Sequence, residues 1–390
     1  MDTILKALLR CLSEARCYFI ILFDFFCILV PRQRSGKLKK QVLIIRLDGI
    51  GDFILWLDAA KELKSLYPHD KFEITLLSNK LWASLAEQLP YFDAVWSIDI
   101  HKFTRNLSYR RACMMKVREA GFDLVIQPTY SRNILHGDAI VRISGSDERL
   151  GSQGDCANMS LWQKRISDKW YTRLIPATNE LLMELIRNAE FMRGLGLTHF
   201  RASVPQLSIS AATPAGFNIK DYYILFPGAG VESKQWPVSY FGELAKLIYR
   251  ATGWTGIICG GPEDKRLGAA IEKYHDISLQ NWVGRTTLAE LSAITAGAKI
   301  LIGNDTSAIH IAAAVSTPSI CIVGGWHYQR FVPYRVEGQT NRPLPVAVTK
   351  KMECFKCNWQ CIHSTGKCKV APCIANISVE DVWDKTKTLL

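Results

Sequence analysis

The stretch Val42-Leu43-Ile44-Ile45-Arg46-Leu47-Asp48-Gly49-Ile50-Gly51-Asp52 constrains the fold more than any other part of the chain. Residues 42–45 are apolar and mostly β-branched, as expected of a strand covered on both faces. Gly49 and Gly51 permit a tight turn and close backbone approach. Asp52 then opens the apolar-periodic segment Phe53, Leu57, Ala60, Leu63 and Leu66, which places it at a helix N-terminus on the rim of a parallel sheet. Ligands of open α/β folds bind at that edge, so Asp52 is a candidate general base. The same residue also reads as a helix N-cap. A dinucleotide fingerprint would need a third glycine three residues after the second, and Ile54 stands there. An anionic Asp52 would also repel a pyrophosphate at the helix terminus. The turn is therefore not read as a nicotinamide or flavin site.

With 390 residues the chain is long enough for two α/β domains, each with its own core. Its formal charge is +12, and residues 1–40 alone carry +5. Such a surplus suits an anionic membrane surface or a polyanionic substrate. No nucleic-acid-binding signature accompanies it, and no nucleic-acid partner is expected. Residues 17–30 are apolar except for Asp24. They are too few for a span of roughly 20 residues, and Asp24 sits at the middle. No small-residue cleavage site follows; Pro31-Arg32-Gln33-Arg34 and Lys37, Lys39 and Lys40 do, which fits a secretory signal poorly. Residues 1–40 are expected to be a membrane-associating extension, an in-plane anchor with a basic collar. The alternative is a helix packed on the first domain. Without an export signal the compartment reads as reducing and cytoplasmic, with attachment to the inner face of the cytoplasmic membrane.

Beyond this extension strands and helices alternate. Strands are expected near 72–77, 94–98 and 122–127, with helices near 81–89 and 107–120. Alternation of this kind implies right-handed βαβ units and a parallel sheet. Residues 145–180 are polar, contain Gly145, Gly151 and Gly154, and read as a long surface loop. A helix over 181–195 closes a first Rossmann-like domain spanning 41–207, and 208–221, with Pro214 and Gly216, reads as a linker. The pattern restarts in a second Rossmann-like domain, 222–345. Strands are expected at 222–226, 255–259, 299–302 and 319–323, with helices at 240–249, 288–296 and 308–315 and Pro237 at a first helical position. Cys259 and Cys321 fall on these strands and read as small core residues. Two doubly wound α/β domains facing across a cleft is the simplest architecture.

Three glycine-bearing loops follow strands of the second half. Pro227-Gly228-Ala229-Gly230 offers backbone donors for phosphate, and Lys234 lies just before the next helix, where it could neutralise a diphosphate. Gly260-Gly261-Pro262-Glu263 presents a carboxylate that could accept from ribose hydroxyls. Gly303-Asn304-Asp305-Thr306-Ser307 leads into Ala308-Ile309-His310 and sets a carboxylate, two hydroxyls and N–H groups at another helix start. Lys234 also reads as a solvated surface lysine, Glu263 as a charge serving the helix dipole, and His310 as a packed core histidine. Together the loops point to a nucleotide-diphosphate ligand.

These residues resemble glycosyltransferase family 9, the group of lipopolysaccharide heptosyltransferases. The matching stretches are VLIIRLDGIGDFILWLDAAKELK at 42–64, YILFPGAGVESKQWP at 223–237, GGPEDKRLGAAIE at 260–272 and GNDTSAIHIAAAVSTPSICIVG at 303–324, in that order. The resemblance implies a GT-B fold and inverting transfer of a sugar from a nucleotide diphosphate, usually ADP-heptose. It implies an anionic glycolipid acceptor, the lipopolysaccharide inner core, at the cytoplasmic membrane face, and no metal for catalysis. Position by position, Asp52 matches the family's catalytic aspartate, with Gly49 and Gly51 shaping its turn. Lys234 matches the lysine on the donor phosphates and Glu263 the acidic residue near the ribose. Asp305, Thr306 and Ser307 match the segment holding phosphate and sugar, and His310 falls at its usual helical place. Arg46 is either an electrostatic helper or a strand-end charge.

The tail, 346–390, carries Cys354, Cys357, Cys361, Cys368 and Cys373, with His363 among them. That ligand density suits structural zinc or an iron–sulfur cluster, with free thiols or disulfides as alternatives. Residues 379–390 read as a final helix, which in GT-B folds often crosses back to the first domain. Two rivals stand beside the transferase. One is an enzyme of the same architecture such as a nucleotide-sugar epimerase; the other is a non-enzymatic scaffold on the membrane surface.

Overall fold

A computed structural model describes residues 2–32, 36–208, 211–357, 361–363 and 370–390, with side chains from residue 14 onward. Two six-stranded parallel sheets are formed, and their strands run β1 (Lys40–Arg46), β2 (Phe72–Asn79), β3 (Ala94–Ile98), β4 (Leu124–Gln127), β5 (Glu148–Ser152) and β6 (Arg173–Ile175) in the first. The second comprises β7 (Tyr222–Phe226), β8 (Thr255–Ile258), β9 (Leu279–Asn281), β10 (Leu301–Asn304), β11 (Ser319–Ile322) and β12 (Val346–Val348). The helices that matter below are α1 (Asp2–Ile28), α2 (Ile50–Ala60), α3 (Leu107–Ala120), α4 (Gly137–Ser144), α5 (Leu161–Ser167), α6 (Glu184–Leu195), α7 (Val238–Thr252), α8 (Leu288–Gly297), α9 (Ser307–Ala314) and α10 (Val379–Lys387).

The first sheet has the order β3-β2-β1-β4-β5-β6, and the second, read from its other edge, β9-β8-β7-β10-β11-β12. Both are the doubly wound order in which the strand direction of travel reverses once, between β1 and β4 and between β7 and β10. Crevices open at that reversal, outside the C-terminal ends of the strands. The central strands are buried on both faces: β1 from its second residue onward, β7 and β10 throughout. Leu43, Ile45, Val125 and Ile140 belong to the core of the first sheet; Tyr223, Leu225, Ile302 and Trp236 belong to that of the second.

Helix ends follow local chemistry. Asn106 caps α3 by accepting from the Tyr109 amide at 2.9 Å, and Gly121 closes it at φ +66°. Thr287 and Glu290 form a reciprocal capping box on α8, as Ser378 and Asp381 do on α10. Pro237 precedes α7 as its cap rather than opening its first turn.

The chain divides into two compact units that do not follow the sequence order. One contains 1–49, 60–179 and 190–200; the other contains 50–59, 180–189 and 201–390. The first ten residues of α2 therefore belong with the second unit.

Residues 145–180 are not the long surface loop expected of them. They hold β5, α5 and β6, which extend the first sheet at its edge. Of the glycines that suggested a loop, Gly145 ends α4 at φ +60°, and Gly151 serves close packing: a Cβ there would lie 2.3 Å from the Tyr171 ring. The expected helix over 81–89 is a single turn, Ala83–Ala86. The final helix packs within the second unit, where Val379 and Val382 join the core, rather than crossing back to the first.

Helix α1 packs on the first unit through Cys17, Ile20, Asp24 and Cys27, each 3 % exposed. Asp24 receives two bonds from Arg110, at 2.7 and 2.6 Å, in a buried ion pair. Among the described residues no helix is long and apolar enough to cross a membrane.

Candidate functional site

In the first unit the turn after β1 is held from both sides. Asn79, ending β2, donates to the carbonyls of Leu47 and Asp48 at 3.2 Å, and the Trp82 indole donates to Asp48 at 3.0 Å. Arg46 is fully buried and pairs with the Asp48 carboxylate at 2.9 Å. Asp48 stands in the conspicuous turn, but no local signal in the sequence marks it as the partner of a buried arginine.

The loop after β4, on the other side of the reversal point, is locked by a buried polar network. Tyr171 donates to Asp138 at 2.6 Å and to Gln127, while Arg132 pairs with Asp138 and Asp168 and lies over the Tyr171 ring. Burial raises the Asp138 carboxyl above its usual range. No sequence signal marked these residues, because the network joins positions that are far apart in the chain.

The second unit carries the other residues expected at a site. Asp52 lies in the first turn of α2, after Ile50 and Gly51, so it is a first-turn acid and not the N-cap. It is half-buried. Gly51 brings this turn against α9: a Cβ there would meet His310 Cδ2 at 3.0 Å and Ser307 Cα at 3.6 Å. Asp52 is near enough to His310 to act on its charge. The imidazole is held below its ordinary pKa chiefly by burial, with Lys234 pushing it further down and Asp305 and Asp52 opposing. His310 is therefore neutral at neutral pH. Its Nδ1 lies 2.9 Å from the Tyr334 hydroxyl, and the two rings stack.

Around the reversal point between β7 and β10, three loops converge. Asn304, last residue of β10, donates to the carbonyls of Pro227 and Gly228 at 2.7 and 3.3 Å and accepts from the Trp236 amide at 3.0 Å. One buried side chain thus fixes the loops after β7 and β10 together. Gly228 is required by proximity, since a Cβ there would lie 2.2 Å from the Asp264 carboxylate. Asp264 is buried and accepts from the Gly261 amide at 2.9 Å; burial lifts its carboxyl above the usual range. Of the two adjacent acids, Asp264 is the inward one, and Glu263 is exposed with its carboxylate over Gly261.

Lys234 stands on the short turn before α7, and its Nζ lies 3.3 Å from Asp305 and 5.6 Å from the centre of the Trp326 ring. Asp305 is buried, and its amide is bonded to the Ile322 carbonyl. Thr306 is the residue before α9, and its hydroxyl is buried without a hydrogen-bond partner. Ser307 is the first helical residue, half-buried. Lysine, unpartnered hydroxyl and helix start together offer a positive, donor-rich place for an anionic group.

In the tail, burial raises the Cys354 and Cys373 thiols above their usual pKa, and the neighbouring Cys357 and Cys361 add to the shift in both. Among the described residues no group of three or more His, Cys, Asp or Glu is arranged to hold a metal ion. Cys368 lies outside the described residues.

Two Rossmann-like units with phosphate-type loops at the strand reversal define an α/β protein of the GT-B type. The chain belongs to glycosyltransferase family 9 (heptosyltransferase), whose family model matches residues 110–360. It is 22 % identical over 297 residues to lipopolysaccharide heptosyltransferase 1 of Pseudomonas aeruginosa, covering 73 % of this chain and 78 % of that protein. The structure of Escherichia coli ADP-heptose LPS heptosyltransferase II superposes with a TM-score of 0.63 at 18 % identity, over 90 % of this chain and 98 % of that one. The iron-containing dodecameric glycosyltransferase TibC from enterotoxigenic E. coli H10407 does so with 0.53 at 14 % identity, over 90 % and 77 %. The chain is a glycosyltransferase.

Proposed function

We propose that this protein transfers heptose from ADP-heptose, with inversion, to the core of a lipopolysaccharide or a related anionic glycolipid. The observation that carries the reading is the buried, unpartnered Thr306 hydroxyl at the start of α9, beside Lys234 and the Gly228 loop. A diphosphate oxygen would satisfy that hydroxyl, and the helix N-terminus and Lys234 would hold the negative charge that grows as the sugar leaves. Lys234 would then exchange part of its pairing with Asp305 for the diphosphate. Glu263 and Ser307 are proposed to contact the ribose and the sugar–phosphate, and Gly228 to let the backbone approach.

On this reading Asp52 takes the proton from the acceptor hydroxyl as that oxygen attacks the anomeric carbon, and the nucleoside diphosphate departs from the opposite face. Neutral His310, fixed by Tyr334, keeps a second cation from competing with Lys234 beside the base. The proposed reaction uses no metal, and nucleic acid is not a proposed partner. The relatives named for lipopolysaccharide and ADP-heptose support the donor and acceptor. A glycolipid acceptor places the work at the inner face of the cytoplasmic membrane. Any ion held by the cysteine tail would be structural; mass-spectrometric metal analysis of protein purified anaerobically without chelators, finding none, removes that part.

Calorimetric titration with ADP, UDP, GDP and TDP tests the donor. Selective ADP binding, weakened by about tenfold or more in Lys234→Ala, is expected. Selective binding of another diphosphate keeps the transferase and removes heptose. No binding to any of them overturns the reading.

A further inference from the structure

Helix α1 is apolar on two faces, and only one is buried. The other carries Tyr18, Phe19, Leu22, Phe25 and Phe26 at spacings of three and four, with Leu29 just past the helix end, each 44–63 % exposed. Soluble proteins rarely leave so continuous an apolar strip in water. The strip continues sideways onto α5. Tyr18 stacks on Trp162 at 4.5 Å between ring centres, and Gln163 donates to the Cys17 sulfur at 3.2 Å. Arg142 lies over both Phe25 and Trp170. Leu161 and Ile166 of α5 add exposed apolar area of 56 and 37 %.

Charge at this surface is mainly basic, although the half-buried Glu14 also lies on α1 one turn before Tyr18. Arg16, Arg165 and Lys169 are exposed. The nearby acids are compensated: Asp24 is buried against Arg110, and Asp168 is held by Arg132 and Lys164. A two-fold contact between copies would set this basic rim against itself, which argues against a second protein chain as the occupant. Apolar side chains, tyrosine and tryptophan at the margin, and a basic rim match the interface of an anionic bilayer.

The helix is also anchored rigidly to its own unit. Besides the Asp24–Arg110 pair, Arg118 donates to the Ile28 carbonyl at 2.6 Å, Arg142 to Ile21 at 3.3 Å and Arg16 to Thr104 at 2.8 Å. We propose that α1 and α5 together form an in-plane docking face for an anionic lipid surface, fixed in orientation by the buried Asp24–Arg110 ion pair. This deepens the membrane-surface part of the proposed function and rests on it for its purpose; the lipid binding itself does not depend on the sugar transferred.

The test is co-sedimentation of the full chain with vesicles of phosphatidylethanolamine and phosphatidylglycerol, compared with phosphatidylcholine alone. Binding to the anionic vesicles, weakened by salt and on phosphatidylcholine, is expected. The pair Leu22→Asp and Phe26→Asp should reduce partitioning by about tenfold or more, with the melting temperature and ADP titration unchanged. The pair Arg165→Glu and Lys169→Glu should reduce binding to anionic vesicles only. Wild-type protein that ignores the vesicles, or an apolar-pair variant that binds them as well as wild type, overturns the proposal. So does a wild-type oligomer that falls to monomer in the Leu22, Phe26 variant by light scattering, which would make a second copy the occupant. ADP binding lost from the wild type would overturn the donor reading and leave the vesicle result standing.

Discussion

Asp52 and Lys234 are asked to do different things, and single substitutions separate them. Asp52→Asn keeps size and packing but removes the proton acceptor. Turnover should fall on the order of a hundred- to ten-thousand-fold with ADP affinity kept, checked by steady-state kinetics beside calorimetry. A variant that retains wild-type turnover would show Asp52 to be only a first-turn acid serving the dipole of α2. At this scale the residues proposed for the candidate donor site carry local signals. Gly228, Lys234, Asp305, Thr306 and Ser307 were all marked by glycine turns before apolar helices. What was not legible is which of two neighbours points inward. Asp264, not Glu263, is the buried acid, because the short turn Pro262–Asp264 aims its last residue back at Gly228. The Lys234–Asp305 pair also joins residues 71 apart, beyond any local signal.

Among elements, the loop after β7 and the C-terminal helix meet at Trp236. Its side chain is 1 % exposed in the second core, and its indole donates to the Ile377 carbonyl at 2.8 Å. Trp236→Ala should cost about 3–5 kcal/mol in the second unit, measured by chemical denaturation, because it leaves a cavity and an unpaired buried carbonyl. Since its amide is tied to Asn304, donor affinity should fall with it. Elements with strong periodicity were legible to within a few residues, as at 107–120, 222–226 and 319–323. The last two strands of the first sheet, β5 and β6, were not. They are five and three residues long, exposed at their first positions, and Gly151 sits in β5 only because the Tyr171 ring leaves no room for a Cβ. A glycine demanded by packing and a glycine demanded by a turn are identical in a sequence.

For the whole molecule, acid sensitivity follows from a half-buried histidine in each unit whose pKa is held low. Burial, with Arg110 adding to it, holds His136 down at about 4; burial, with Arg330 and Lys234, does the same to His327. An unfolded histidine takes up its proton near pH ~6.5. Between that pH and about 4 the unfolded chain binds more protons, so stability falls as pH drops through this window and is fully present above it. Each group contributes on the order of 1–3 kcal/mol. Thermal melts across this range should therefore show a loss that His136→Asn reduces in the first unit. Melts that do not shift between neutral pH and about pH 5 would contradict the burial of both groups.

By itself the sequence determined the class of fold, the two doubly wound halves and the glycine loops proposed to hold phosphate. Those features are written in alternating apolar runs and in glycines at fixed places, and they depend on neighbours within one turn or one strand. Tertiary structure alone decided that Asp24, an interruption in an apolar run, is half of a buried ion pair. It alone separated the packed face of α1 from the apolar strip left outside. It also set Gly51 against His310 and tied the loops after β7 and β10 together through Asn304. The reason is physical: burial and pairing are properties of side chains brought together from distant parts of the chain, and their energies exist only once the core that excludes water has formed.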